Sequence, residues 1–292
     1  MAPTSPLRNR MRKNCNMADL LLITAAVLFI LLLVYGYLSN GMLAVEQYPL
    51  SVWGEGEPIK IVMLADLHGS MFGSDNRRLI QRIQREAPDI ICMAGDMTVK
   101  NGKGTDSCLA LCRELLQICP VFFAPGNHEI RMECYEQFID ELKKAGVVWL
   151  DNAHQDLVIR SRRIRVYGLN LEEELYHKFW RKTEFDSGGM EQYLGPAGKE
   201  YFNLLLAHNP EYFKEYQEWG ADLVLSGHVH GGIARLPLLG GVIAPSLQLF
   251  PTYDAGLFQR EKSWMVLTRG LGTHHIRLRF FNTPEISVIN LS

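Results

Sequence analysis

An excess of charge of either sign is missing from this 292-residue chain: 30 Lys and Arg stand against 32 Asp and Glu, a formal net charge of −2. That balance excludes bulk electrostatic capture of nucleic acid or of an anionic lipid surface, so no nucleic-acid partner is expected. Repeats and low-complexity tracts are also lacking, and the length suffices for one sizeable domain. Paired thiols are absent as well. No Cys-x-x-Cys occurs among Cys15, Cys92, Cys108, Cys112, Cys119 and Cys134. Cys15 precedes a long apolar run, which leaves an odd five in the main body. Their simplest role is as small buried hydrophobes, the alternative being a disulfide among Cys108 to Cys134. Apolar residues at 47% and charged residues at 21% are ordinary for a chain that buries a core.

Charge is missing altogether between Asp19 and Glu46. Leu20 to Leu38 is nearly continuous Leu, Ile, Val, Ala and Phe, without the alternating polar positions of a core helix. At about 1.5 Å rise per residue, such a helix can just cross a hydrocarbon core of roughly 30 Å. Arg8, Arg10, Arg12 and Lys13 precede the run with no acid among them. The positive-inside rule then puts the N-terminus in the cytoplasm and everything after about residue 40 outside it. A cleaved signal peptide competes with this reading. The run is long for an h-region of roughly 7–15 residues, and Met42-Leu43-Ala44 is a poor cleavage site. No consecutive Arg pair supports twin-arginine export. The expected organisation is a basic cytoplasmic N-terminus over 1–19, a transmembrane helix over 20–38, a linker over 39–58 and a domain over 59–292. The chain is thus expected in the cell membrane, single-pass, with its main domain extracytoplasmic.

Beyond the linker, strand-like runs alternate with helical ones. Ile59–Ala65, Asp89–Ala94 and Val121–Ala124 read as buried strands, separated by helices over Leu79–Arg85 and Leu109–Ile118 and followed by one over Tyr135–Ala145. Further strand-like runs follow at Val147–Leu150, Leu157–Ile159, Ile164–Leu169, Phe202–Ala207, Leu223–Leu225, Trp264–Thr268 and Ile286–Leu291. This order predicts a layered α/β domain with ligands gathered at the C-terminal strand ends. Few helices interrupt the late strands, which predicts a second sheet packed on the first. Arg160, Arg162, Arg163 and Arg165 read as a solvated hairpin edge. The stretch Glu172–Phe202 combines acids with Tyr176, Phe179, Trp180, Phe185, Tyr193 and Tyr201, and reads as core or as a lid over a cleft.

Five strand ends carry the same kinds of residue: Asp66-Leu67-His68, Gly95-Asp96, Gly126-Asn127-His128-Glu129, His208-Asn209, and Gly227-His228-Val229-His230-Gly231. Carboxylate oxygen and neutral imidazole suit a hard-to-borderline divalent cation. Asp-x-His in an extended segment points two side chains the same way, because side chains alternate with period two. His228 and His230 repeat that spacing. Asp96 can bridge two cations through its two oxygens, and two cations roughly 3.5–4 Å apart can clamp an in-line displacement at phosphorus. His154, His177, His274 and His275 lack such a setting and read as surface or neighbouring residues, with a rim role open to the last two.

This order of blocks resembles the calcineurin-like metallophosphoesterases. It is similar in particular to their membrane-associated, bacterial-type branch, through Arg269-Gly270-Leu271-Gly272 and Pro284-Glu285-Ile286. The resemblance spans roughly Ile59 to Leu291. It implies a fold of two packed mixed β-sheets flanked by helices and two divalent metal ions, with Mn, Fe and Zn all compatible. One ion would be held by Asp66, His68, Asp96 and His230, and the other by Asp96, Asn127, His208 and His228. It further implies hydrolysis of a phosphomonoester, phosphodiester or pyrophosphate by a bridging hydroxide. His128 would stabilise charge on the phosphate or protonate the leaving oxygen. The anchor gives lipid-linked substrates extra weight. Two departures stand out. Many members carry an Asp three residues after the bridging Asp, able to orient the catalytic His, where this chain has Val99. Ile233 replaces a Gln after Gly231-Gly232. Val99 keeps open a catalytically silent metal-binding signalling module, beside a plain interaction ectodomain.

Overall fold

The computed structural model describes residues 17–54, 56–176, 185–232, 235–236, 240–242, 251–273 and 278–292. The basic N-terminal residues, Cys15, His177, Phe179, Trp180, Ile233, His274 and His275 lie outside them. The apolar run folds as helix α1, Met17–Leu38, long and apolar enough to cross a membrane, with nearly every side chain exposed.

Two six-stranded mixed sheets make the body of the molecule. The first has the order β1 (Ala44–Leu50), β14 (Glu285–Leu291), β2 (Ile59–Leu64), β3 (Ile90–Ala94), β4 (Val121–Ala124) and β5 (Val148–Trp149). The second has the order β12 (Gly256–Arg260), β13 (Ser263–Leu267), β9 (Leu223–Ser226), β8 (Phe202–Ala207), β7 (Arg162–Leu169) and β6 (Ala153–Ile159). A two-stranded pair, β10 (Arg235–Leu236) and β11 (Gly240–Gly241), lies apart. Helices α2 (Arg77–Glu86), α3 (Thr105–Leu115) and α4 (Tyr135–Ala145) follow β2, β3 and β4, while α5 (Ser187–Leu194) and α6 (Phe213–Trp219) flank β8.

Period-two burial explains the layering. Ile59, Ile61 and Met63 of β2 join Leu204, Leu206, Leu223 and Leu225 in a core between the sheets. Val62 and Leu64, on the other face, pack with Leu79, Ile83, Leu111 and Phe138 of α2 to α4. Leu205 and Val224 of the second sheet face Met190, Phe213 and Tyr216 of α5 and α6. Strands apolar on both faces are what a sheet covered on both sides requires. The architecture is the expected α/β one.

Two differences are instructive. Residues 39–58 are no plain linker, because Ala44–Leu50 within them forms β1, parallel to β14. Its partner lies some 240 residues away, and Glu46, Gln47 and Pro49 hide the strand pattern. Pro49 is tolerated because β1 is an edge strand. Strand β12 likewise carries no fully buried residue and left no apolar signal. The five cysteines within the described residues are all free thiols, so none pairs among Cys108 to Cys134. The arginines do form a hairpin edge, with charge partners: Arg160 meets Glu57 and Asp89, Arg163 meets Glu200, and Arg165 meets Asp156.

Candidate metal centre

Strands β2, β3 and β4 are mutually parallel, as are β7, β8, β9 and β13. Each parallel set therefore delivers its loops at one end. Asp66 and His68 follow β2, Asp96 follows β3, and Asn127 and His128 follow β4. His208 follows β8, and His228 and His230 follow β9. All are buried except His228, which is half-buried.

The structure brings these residues together in three adjoining groups: Asp66, His68 and His230; Asp96, His208 and His228; and His68, Asp96 and His128. His68 Nε2 lies 3.1 Å from His230 Nε2, which lies 3.4 Å from Asp66 Oδ1. Two ligand atoms on a tetrahedral ion, each at about 2.0–2.1 Å, stand about 3.3 Å apart, so this spacing fits a shared cation. Asp96 Oδ2 is 3.1 Å from His208 Nε2 and 3.9 Å from His68 Nε2, which puts one carboxylate between the groups. Asn127 Oδ1 is buried without a hydrogen bond. Such an acceptor costs about 1–3 kcal/mol, and coordination to a cation would relieve it.

Ring orientation also fits. His208 Nδ1 donates to Ala94 O at 2.7 Å and His230 Nδ1 faces Gly272 O at 3.3 Å. These carbonyls hold the proton on Nδ1 and leave Nε2 as the ligand atom.

The electrostatics are those of a cavity built around positive charge. Burial pushes Asp66 up to about 7, with His208 opposing and Asp96 assisting. Burial also acts on Asp96, yet His208, His68 and His128 together hold its carboxyl well below the usual range. Burial disfavours protonated His208, but Asp96 and Asp66 raise it to about 10. Burial holds His228 down to about 3 and His230 well below its ordinary value. Asp66 and Asp96 therefore favour positive charge beside His208, and a metal bound there would take His208 as a neutral ligand.

The backbone at five of the candidate ligands is not extended. Asp66, His68, Asp96, His228 and His230 all have positive φ, from 46° to 73°. The two Asp-x-His and His-x-His pairs therefore converge through left-handed turns and not through strand alternation. Asp66 N–H donates to Gly95 O and His68 N–H to Asp96 O, both at 3.0 Å, which sustains the turns. Residues forced into such conformations cost of order 1–3 kcal/mol each and persist where the surroundings impose them. A Cβ on Gly95 would fall 2.6 Å from Gly126 and 2.8 Å from His208 Nδ1, so only glycine fits there.

Some supporting residues escaped the sequence reading. Glu129, fully buried, accepts from the backbone N–H of Asp96 (2.7 Å), Thr98 (2.9 Å) and Gly126 (2.9 Å) and from the Thr98 hydroxyl (3.0 Å). It ties the β3 loop to the β4 loop; its place in Gly-Asn-His-Glu was the available signal. His128 has a partner despite Val99: the Lys100 N–H donates to its Nδ1 at 3.2 Å. A main-chain donor leaves no trace in residue identity. Tyr176 rests its ring 5.3 Å from that of His228, and Leu175, Met190 and Leu194 beside it are core. His154 lies away from the centre, against Tyr167 in the β6–β7 pair.

The sequence profile of a family described as calcineurin-like phosphoesterase matches residues 59–232. A protein of Aquifex aeolicus named as an uncharacterised metallophosphoesterase is 27% identical, over 90% of this chain and 97% of that relative. A protein of Escherichia coli named phosphodiesterase YaeI is 28% identical, over 80% and 82%. A Danio rerio protein named as transmembrane with a metallophosphoesterase domain is 27% identical, over 92% of this chain and 62% of its own length.

If Asp96 serves both ions, Asp96→Asn should strip metal from both sites, whereas Asp66→Asn should affect chiefly one. Elemental analysis of the two purified variants checks this, and full metal content in Asp96→Asn would refute the shared role.

Proposed function

This chain belongs to the calcineurin-like phosphoesterase family, and on that premise we propose that it cleaves a phosphomonoester, phosphodiester or pyrophosphate at a pair of divalent ions. The observation that carries this reading is the adjoining pair of ligand groups, Asp66–His68–His230 and Asp96–His208–His228, meeting at the Asp96 carboxylate. One ion would be held by Asp66, His68, Asp96 and His230, the other by Asp96, Asn127, His208 and His228. When bound, the pair would supply Lewis acidity toward the phosphate and lower the pKa of a shared water to give the attacking hydroxide.

The chain's own part is to orient and to stabilise. His128 N–H donates to Asp96 Oδ1 at 2.8 Å, so its backbone holds the Asp96 carboxylate in place while its ring stands beside that of His68, 4.7 Å away. With Nδ1 accepting from Lys100 N–H, the neutral ring carries its proton on Nε2. Burial lowers its basicity further. An imidazolium would need a second proton on Nδ1, where an N–H already points. The ring therefore acts as a hydrogen-bond donor to a phosphate oxygen as negative charge builds, and not as the acid that protonates the leaving group. Val99 in place of an orienting Asp is consistent with that role and does not argue for a silent module.

The anchor reading adds location. We propose that α1 spans the membrane once, with Arg8, Arg10, Arg12 and Lys13 on the cytoplasmic side and residues 59–292 outside. A reporter active only outside the cytoplasm, fused after Ser292, should be active; activity of a cytoplasm-only reporter would reverse the orientation.

His128→Ala should keep both metals and lower turnover by about 10²-fold, the scale of one lost charge-stabilising donor. The loss should be equal for a nitrophenyl ester and for an alkyl ester with a poor leaving group. A much larger loss for the alkyl ester would restore proton donation, and a lost metal would overturn the ligand assignment.

A further inference from the structure

Strand pairing fixes where α1 meets the domain. β14 runs antiparallel to β2, with Ser287 opposite Met63 and Leu291 opposite Ile59, so β14 begins where β2 ends. β1 runs parallel to β14, with Ala44 opposite Glu285. The chain therefore enters the first sheet at the same edge from which β2, β3 and β4 deliver Asp66, Asp96 and Asn127. Only residues 39–43 separate α1 from β1.

The joint is bonded as well as short. Arg279 N–H donates to Gly36 O at 3.0 Å, and the Tyr35 and Phe281 rings lie 5.5 Å apart. A Cβ on Gly36 would fall 2.5 Å from the Phe280 ring, so the helix approaches this loop as closely as its backbone allows. The same loop braces the metal centre. Arg279, 2% exposed, gives its guanidinium to the carbonyls of Arg269, Gly270, Gly272 and Asn282. Gly272 N–H donates to Asp66 O at 2.6 Å, and Asn282 Nδ2 donates to His230 O at 2.7 Å. Between α1 and two candidate ligands, Asp66 and His230, stands one hydrogen-bonded loop.

A second feature singles out the same edge. Outside α1, the exposed large apolar side chains among the described residues are Met42, Met71, Val158, Leu236, Leu257 and Phe281. Met42 sits in the α1–β1 connection and Met71 in the loop after His68. Leu236 follows Arg235, whose N–H donates to Phe280 O. Leu257 is opposite Val266, near the end of β13. Five of the six thus gather at the metal edge. Val158, opposite Arg163 near the start of β7, lies at the far end of the sheet.

We infer that this edge rests against the lipid headgroup layer, held there by α1, and that the substrate is a phosphate ester carried on a membrane lipid. The inference rests on the phosphoesterase reading and on α1 spanning the bilayer. Apolar side chains at an interface sink toward the acyl boundary, and a substrate held in the same surface meets the site at high effective concentration.

Two measurements on the full chain in phosphatidylcholine vesicles test this. Bimane attached at Met71→Cys or at Phe281→Cys should be quenched by headgroup-nitroxide lipid well above the signal of the unsubstituted chain, and bimane at Val158→Cys should not. Equal quenching at the three positions, or strongest quenching at position 158, would overturn the docking. With Mn²⁺ present, phosphatidic acid or phosphatidylglycerol in the vesicles should be cleaved about 10-fold or more faster than glycerol 3-phosphate or glycerophosphoglycerol in solution. Cleavage of nitrophenyl esters or of the soluble glycerophosphates without preference for the lipids would overturn the inference and leave the phosphoesterase reading standing. Silence toward every ester would sink that reading, and the substrate assignment with it.

Discussion

Two carboxylates, Asp66 and Asp96, are confined out of water among five imidazoles, and the rest of the structure depends on that confinement. Burial alone would neutralise both acids. The imidazoles around Asp96 instead hold its carboxyl well below the usual range, and Asp96 with Asp66 raises His208 in return. Divalent cations would do the same job better, since each satisfies several donors at once and frees the imidazoles to be neutral ligands. The unsatisfied Asn127 Oδ1 and the close approach of two Nε2 atoms belong to the same design.

Such a centre needs a rigid support, and the fold supplies it in layers. Parallel strands from two sheets bring ligands from distant parts of the chain to a common edge. Glu129 then fixes the β3 and β4 loops to each other, and Arg279 with Asn282 fixes the β9 and β13 loops beside Asp66. The left-handed conformations of five candidate ligands are sustained by these contacts. Arg269 joins this frame to the edge strand, through Glu285 on β14 and Glu46 on β1. The helix that precedes β1 is thereby connected to the edge that carries the candidate ligands.

Legibility in the sequence followed range. Apolar runs and helical spacing gave the α/β class and most strands, because period-two and 3.6-residue patterns are local. Candidate ligands such as Asp66, Asp96 and His208 could be picked out because each follows an apolar run at a strand end. Strand β1 was not, since its identity resides in a pairing with β14 rather than in Ala44–Leu50 themselves. The positive φ of Asp66 and His230 was invisible too, because no residue there signals a left-handed turn. The Lys100 N–H behind His128 is a backbone group, which every non-proline position possesses. The clasp of Arg279 on four carbonyls is beyond any motif, for the same reason.

The central claim is that these strand ends form one dinuclear site around Asp96. Anomalous diffraction from crystals of the manganese-loaded protein tests it directly. Two peaks about 3.5–4 Å apart, with the Asp96 carboxylate between them, are the predicted result. A single peak, or two peaks remote from Asp96, would contradict the account.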